Sequence, residues 1–181
     1  MNKSLDTKKK VLLHICCAPC SASAVKILQN IYDIYFYWYN PNIYDEKEYK
    51  NRKESTIRYA KELGVRFRQD LDFLYNYKEW KDRSCEQCNL CYNFRLEKTA
   101  IFAKDNGFDF FTTSLLSSPY QKHDLIKQIA DTLAYKYAVE FLYYDFRSGF
   151  YEGKNSLRQK GYYMQKYCAC GKSYKERFSD V

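Results

Sequence analysis

The sequence predicts an α/β fold: a parallel five-stranded sheet with helices on both faces. Three observations predict it. Short apolar, β-rich runs alternate with longer segments of helical period, the pattern of repeated strand–helix–strand units. Breaker residues such as Asn40-Pro41-Asn42 and Asn106-Gly107 stand between the segments. The 181 residues, 46% of them apolar, suffice for one domain with its own core, and only 6 Gly and 3 Pro leave little room for flexible linkers.

Each element follows from its own residues. Residues 1–10 read as a basic N-terminal arm, and 11–181 as a single α/β domain with a C-terminal CxC tail, a domain that the resemblance given below implies is catalytic. Val11–Cys16 reads as a short buried strand. Pro19 then suits the first turn of a helix that Ser21–Ile31 continues. Asp33–Tyr39 is aromatic and β-rich, so it is the second strand. Asp45–Leu63 is charged with helical period, and Gly64 suits its C-cap. Val65–Gln69 is a third strand, and Asp70–Lys81 is expected to be partly helical. Cys85–Asp105 reads as a long helix and Phe108–Ser114 as the fourth strand. Lys122–Tyr137 places Leu125, Ile126, Ile129 and Leu133 at helical spacing. Val139–Phe146 is the fifth strand, residues 147–167 hold a further helix, and the tail carries Cys168 and Cys170.

Ligands of such sheets bind at the carboxyl ends of the strands, near the switch in strand order. The residues there are Cys16 and Cys17 after the first strand, Asn40 and Pro41 after the second, and Ser114 and Leu115 after the fourth. These three loops are expected to share one rim.

The formal charge of +8, with 20 Tyr and 12 Phe, suits an anionic partner such as RNA, through phosphate contacts and base stacking. A solvated lysine-rich surface explains the charge equally well. A secretory leader is not expected, because only Val11-Leu12-Leu13 precede His14, three cysteines and Pro19. No run approaches a membrane span in length, so a cytoplasmic protein is expected. In that compartment clustered cysteines serve as metal ligands or redox thiols more often than as structural disulfides.

The 8 cysteines fall into three groups: Cys16/Cys17/Cys20, Cys85/Cys88/Cys91 and Cys168/Cys170. Isolated cysteines are usually small apolar fillers, but grouping on this scale argues for chemistry. Cys88 and Cys91 lie on nearly one face of a helix and suit one metal or one cluster edge. Structural zinc and an iron–sulfur cluster both remain open. Adjacent side chains diverge, which favours a larger cluster for Cys16 and Cys17. Cys168-Ala169-Cys170 suits a strained, labile disulfide, or else two further metal ligands. The helix start at Pro19 is expected to depress nearby thiols.

His14 reads as a strand histidine satisfied within the core. His123 is a candidate proton donor or merely part of a helix start, and Tyr120 is a second candidate acid. Arg95 either neutralises a negative cluster or is an exposed helix arginine. No P-loop or dinucleotide glycine motif occurs.

The motifs LHICCAPC (Leu13–Cys20), YNPNI (Tyr39–Ile43), CNLCYNFRL (Cys88–Leu96), TTSLLSSPYQKHDLI (Thr112–Ile126) and YMQKYCACG (Tyr163–Gly171) occur in that order. With them the chain resembles the epoxyqueuosine reductases of the QueH type. The resemblance implies a HUP-like sheet and an enzyme that reduces epoxyqueuosine to queuosine at the tRNA wobble position. It implies a [4Fe-4S] cluster held by Cys16, Cys17, Cys88 and Cys91, and a redox-active disulfide at Cys168 and Cys170. A second, mononuclear iron is also implied, with Cys20 or Cys85 as a candidate ligand. The partners implied are tRNA carrying epoxyqueuosine and an electron donor. The readings set against this are a zinc-stapled RNA-binding module and a thiol-disulfide oxidoreductase. Two positions depart from the family pattern: Met164 stands where arginine is expected, and Ala169 where glycine is expected.

Overall fold

The computed structural model describes residues 8–69 and 87–178. Five parallel strands form one sheet: β1 (Lys10–His14), β2 (Asp33–Trp38), β3 (Arg66–Gln69), β4 (Phe110–Thr113) and β5 (Glu140–Phe141). Their order is β3-β2-β1-β4-β5, so the direction of travel reverses between β1 and β4. The ladder pairs Leu13 with Phe36 on one side and with Thr112 on the other. β1 is therefore central, which explains why Val11, Leu12 and Leu13 are fully buried.

Helices cover both faces. They are α1 (Ala18–Leu28), α2 (Glu46–Leu63), α3 (Cys88–Asp105), α4 (His123–Tyr137), α5 (Phe150–Gln159) and α6 (Gly171–Phe178). Successive strand residues point to opposite faces. Thus Phe36 meets Tyr59 of α2, while Tyr37 meets Phe102 of α3 at a centroid distance of 4.8 Å. On one face α5 packs directly on α1. A Cβ on Gly153 would stand 2.8 Å from Ala22 Cβ, so only glycine permits this approach.

Local chemistry sets the boundaries. Asp45 caps α2 by accepting from the Glu48 N–H, and Gly64 ends it at φ 67. Pro19 sits in the first turn of α1 as expected. The fifth strand is much shorter than the expected Val139–Phe146. Leu142 N–H still bonds Phe111 O, but Tyr143 N–H turns back to Phe141 O, and β4 itself has already ended at Thr113. With no neighbour left to pair, 142–146 leaves the sheet, although Phe146 stays buried. Helix α6, starting directly after Cys170, was not foreseen. The expected helical segment Asp70–Lys81 and the residue Cys85 lie outside the described residues.

Candidate active site

The three strand-end loops meet at one rim. Asn40, after β2, donates from Nδ2 to Ile15 O at 2.8 Å. Ser114, after β4, accepts from the Cys16 N–H at 3.2 Å and lies 3.5 Å from Cys16 Sγ. His14 anchors this junction beneath the rim. Its Nε2 faces the Tyr39 carbonyl at 3.2 Å, which only an N–H can satisfy, so its Nδ1 accepts from the Thr113 hydroxyl at 2.9 Å. Burial, aided by Arg95, drops the imidazole to about 3, so it is neutral. His14 is thus a core residue that fixes two loops.

The sulfurs of Cys16, Cys17 and Cys20 lie within 4.8 Å of one another. Adjacent side chains were expected to diverge, yet Cys16 Sγ and Cys17 Sγ are 3.9 Å apart. The extended backbone of Cys17, at φ −173 and ψ 159, precedes the first turn of α1, and that turn carries Cys20 back toward the same point. Four ligands arranged tetrahedrally at ~2.3 Å from one metal stand about 3.8 Å apart. The Cys16–Cys17 separation matches that spacing, and the three thiols form a group that could hold a metal ion. The group also concentrates one negative charge. Hydrogen bonds from Cys17 and Cys20 hold the Cys16 thiol well below its usual range. Cys17 is pushed up by burial, and Cys20 to about 12 by its hydrogen bond to Cys16. The lowering expected from the helix start is not seen at Cys17 or Cys20, and at Cys16 it comes from neighbouring thiols and Arg95 instead.

The second group adjoins through Arg95. Cys88 opens α3 and is exposed, whereas Cys91 is half-buried. Arg95, one turn on, lies buried instead of facing solvent. Its guanidinium donates to Cys91 Sγ at 3.7 Å and to Asn40 Oδ1 at 2.9 Å, while its Nε has no partner among the described residues. No carboxylate neutralises it among the described residues. A second buried guanidinium, Arg52, feels the charges of Cys17 and Cys16 as well as its partner Glu48. Buried cations need counter-charge. A thiolate-bound metal or iron–sulfur group is anionic, so these residues fit one: the excess positive charge beneath the thiols is what such a group would balance.

The tail closes over this rim. Gln165 donates from Nε2 to Cys20 Sγ at 2.8 Å. Gln121, in the loop after β4, donates to Cys168 Sγ at 3.6 Å and accepts from the Tyr92 hydroxyl at 2.8 Å. Arg52 holds the tail from below, donating to Tyr167 O at 2.8 Å. Ala169 is fully buried against Trp38, Ile43 and Tyr49, and its carbonyl accepts from Tyr44 N–H at 2.7 Å. Its φ of 93 is a conformation that favours glycine, the residue expected there. Met164, where arginine was expected, packs against the main core.

Cys168 and Cys170 are inequivalent. A hydrogen bond from Cys168 brings the Cys170 thiol down to about 5, helped by the Ser173 N–H at 3.5 Å in the first turn of α6. The same pairing pushes Cys168 well up. One thiolate beside one thiol is the reduced form of a pair ready for exchange.

His123 starts α4 and is buried. Its Nε2 lies 3.2 Å from the Tyr143 hydroxyl, and its Nδ1 has no partner among the described residues, so neither nitrogen bonds a described thiol. Burial lowers its pKa, with Arg147 adding to the effect. Tyr120 is exposed and pairs with Tyr151. Arg52, Gln121 and Gln165 complete the rim, and sequence reasoning assigned none of them a role. Glu48 and Arg52 have the spacing of an ordinary surface pair, so only burial distinguishes them.

Residues 11–176 match the family described as epoxyqueuosine reductase QueH. The chain belongs to this family. A relative in Dehalococcoides mccartyi named epoxyqueuosine reductase QueH is 35% identical over 174 residues, 93% of this chain and 94% of the relative. One of the same name in Thermotoga maritima is 34% identical, covering 92% and 91%. In Haemophilus influenzae the figures are 34%, 91% and 71%. The family is one of enzymes, as the motifs led us to expect. A solved U34-tRNA thiolase NcsA from Methanococcus maripaludis, described with its [4Fe-4S] cluster, shares 13% identity at TM-score 0.44, over 88% of this chain and 69% of that one. At that distance the likeness says nothing about chemistry. Among the described residues no helix is long and apolar enough to cross a membrane.

Proposed function

We propose that this chain reduces epoxyqueuosine to queuosine at the wobble position of tRNA, in the cytoplasm, as one catalytic domain over 11–181. The observation that carries the reading is the convergence of thiols from distant parts of the chain: Gln165 touches Cys20, Gln121 touches Cys168, and Arg95 touches Cys91. Family membership supplies the substrate.

The reaction takes up two electrons and two protons, breaks both C–O bonds of the epoxide and releases water as the alkene forms. Cys16, Cys17, Cys88 and Cys91 are the proposed ligands of a [4Fe-4S] cluster, and Cys20, whose sulfur lies within 4.8 Å of the first two, is the proposed ligand of a second, mononuclear iron beside it. When bound, these groups supply electron transfer. Arg95 and Arg52 balance the negative charge of the thiolates. The dithiol at Cys168 and Cys170 closes to a disulfide, giving up two electrons. The high Cys168 pKa keeps one proton on the pair until the sulfurs join. His123 is the proposed donor of the other proton; it gives that proton up as imidazolium and is left neutral, the form that burial and Arg147 favour. An external donor then reopens the disulfide.

The test is anaerobic incubation of the chain with epoxyqueuosine-containing tRNA, followed by nucleoside analysis. Queuosine should form, and Cys16→Ser and Cys91→Ser should lose both the brown colour and the product. A colourless protein holding stoichiometric zinc, with no product, would overturn the reading in favour of a zinc-stapled RNA-binding module.

A further inference from the structure

We propose that Tyr120 and Tyr151 form a stacking platform for unpaired RNA bases flanking the nucleotide that enters the thiol rim. The inference rests on the RNA-directed reading above and gives it a surface.

The two rings are among the exposed large apolar side chains, at 74% and 58% exposure, and their hydroxyls lie 3.2 Å apart. They come from separate elements, so their pairing is a product of the fold. Tyr120 projects from a turn in which Gln121 N–H bonds Ser118 O at 3.3 Å and its own N–H bonds Ser118 Oγ. Pro119 stiffens that turn. Tyr151 lies in the first turn of α5, which Gly153 seats against α1. Buried Phe150 meets both rings edge-on, at 6.3 and 5.2 Å, and so props them from beneath. Both rings are thus held by a buried neighbour while remaining largely exposed.

Its position relates it to the chemistry. The residue after Tyr120 is Gln121, whose side chain contacts Cys168. Consecutive Cα atoms are ~3.8 Å apart, so the turn that carries Tyr120 also carries a residue touching the dithiol. The surroundings suit a phosphate backbone. Lys122 is exposed beside the turn, Lys154 lies over the Phe150 ring at 5.6 Å, and the nearby Glu152 is engaged by Lys26 at 2.6 Å. Stacking on aromatic side chains accepts any base, since each base has a π face. That suits a platform for unpaired neighbours of the reacting nucleotide.

The test uses the full chain and two labelled RNAs: a stem–loop with an unpaired loop, and the same stem as a blunt duplex. Fluorescence anisotropy gives both Kd values. Tyr120→Ala and Tyr151→Ala should each weaken stem–loop binding on the order of tenfold and leave duplex binding within about twofold. Tyr120→Phe and Tyr151→Phe keep the rings and should bind the stem–loop like the parent. Unchanged stem–loop affinity in the alanine variants overturns the proposal. So does an equal loss for stem–loop and duplex, or a phenylalanine variant as weak as the alanine one. An alanine variant that abolishes self-association at unchanged stem–loop affinity assigns the patch to a second copy instead. If the parent converts no epoxyqueuosine yet the stem–loop result holds, the catalytic reading fails and the platform stands.

Discussion

Replacing Arg52 should cost far more than its position on a charged helix suggests. Its Nε donates to Glu48 Oε1 at 2.6 Å, with the two side chains 3% and 7% exposed. One Arg52 amino group donates to Tyr167 O, and the guanidinium lies 5.8 Å from the Tyr167 ring centroid. In Arg52→Met much of the side-chain volume stays, and the Tyr163 hydroxyl still donates to Glu48. The carboxylate, however, is left buried without its cation. Removing one partner of a buried pair costs about 3–5 kcal/mol. The lost bond to the Tyr167 carbonyl adds ~1 kcal/mol. For a chain of this size each kcal/mol moves Tm by about 2–4 °C, so a fall of roughly 8–24 °C follows. Urea unfolding of the reduced, metal-free protein, followed by circular dichroism, measures the loss. Adding Glu48→Gln removes the stranded charge and should restore about 2 kcal/mol or more, because an uncharged pair carries a smaller desolvation cost. Tyr167 immediately precedes Cys168, so the single variant should also alkylate faster at Cys168. A single variant costing under about 1 kcal/mol would refute the reasoning, as would a double variant no more stable than the single; either result means this ion pair does not hold the tail.

Three further outcomes are expected. Arg95→Met should leave the metal-free protein as stable or more so, since a buried charge without a carboxylate partner disappears, yet retain less iron after anaerobic reconstitution; melting curves and iron analysis check both. At Ala169, glycine relieves ~1–2 kcal/mol of backbone strain but loses about 0.8 kcal/mol of methyl burial and ~0.4–1 kcal/mol to the freer unfolded chain, so Ala169→Gly should be near neutral in urea, whereas Ala169→Val should cost more than about 2 kcal/mol. Iodoacetamide should reveal, besides the buried Cys16 thiolate, one accessible thiol that stays reactive at pH 6 and titrates near the Cys170 value of about 5, a phase lost in Cys170→Ala. The sign for stability follows: with an unfolded value of ~8.5, this thiolate's contribution is fully present above that pH and is lost as pH falls through about 5.

Much of the fold was legible because periodicity is local. The strand at Asp33, the helix ending at Gly64 and the one running to Tyr137 each announce themselves through spacing, a cap or a breaker. The end of the fifth strand was not legible. Val139–Phe146 is β-prone throughout, but a strand lasts only as long as its neighbour, and β4 stops at Thr113. Arg95 shows the same division. Its place one turn after Cys91 suggested a role beside a cluster, while its burial and missing carboxylate depend on residues far away in the chain.

By itself, then, the sequence determined the alternation of strands and helices, the three cysteine groups and the ordered motifs that mark the family. Those features are written in neighbouring residues. The tertiary structure alone decided that Cys16, Cys17 and Cys20 nearly touch, that Arg52 and Arg95 are buried cations, and that the tail returns through Gln165 to the first turn of α1 and through Ala169 to the residues after β2. The physical reason is that charge compensation and thiol spacing are properties of a shared low-dielectric pocket, and such a pocket exists only once distant segments have packed.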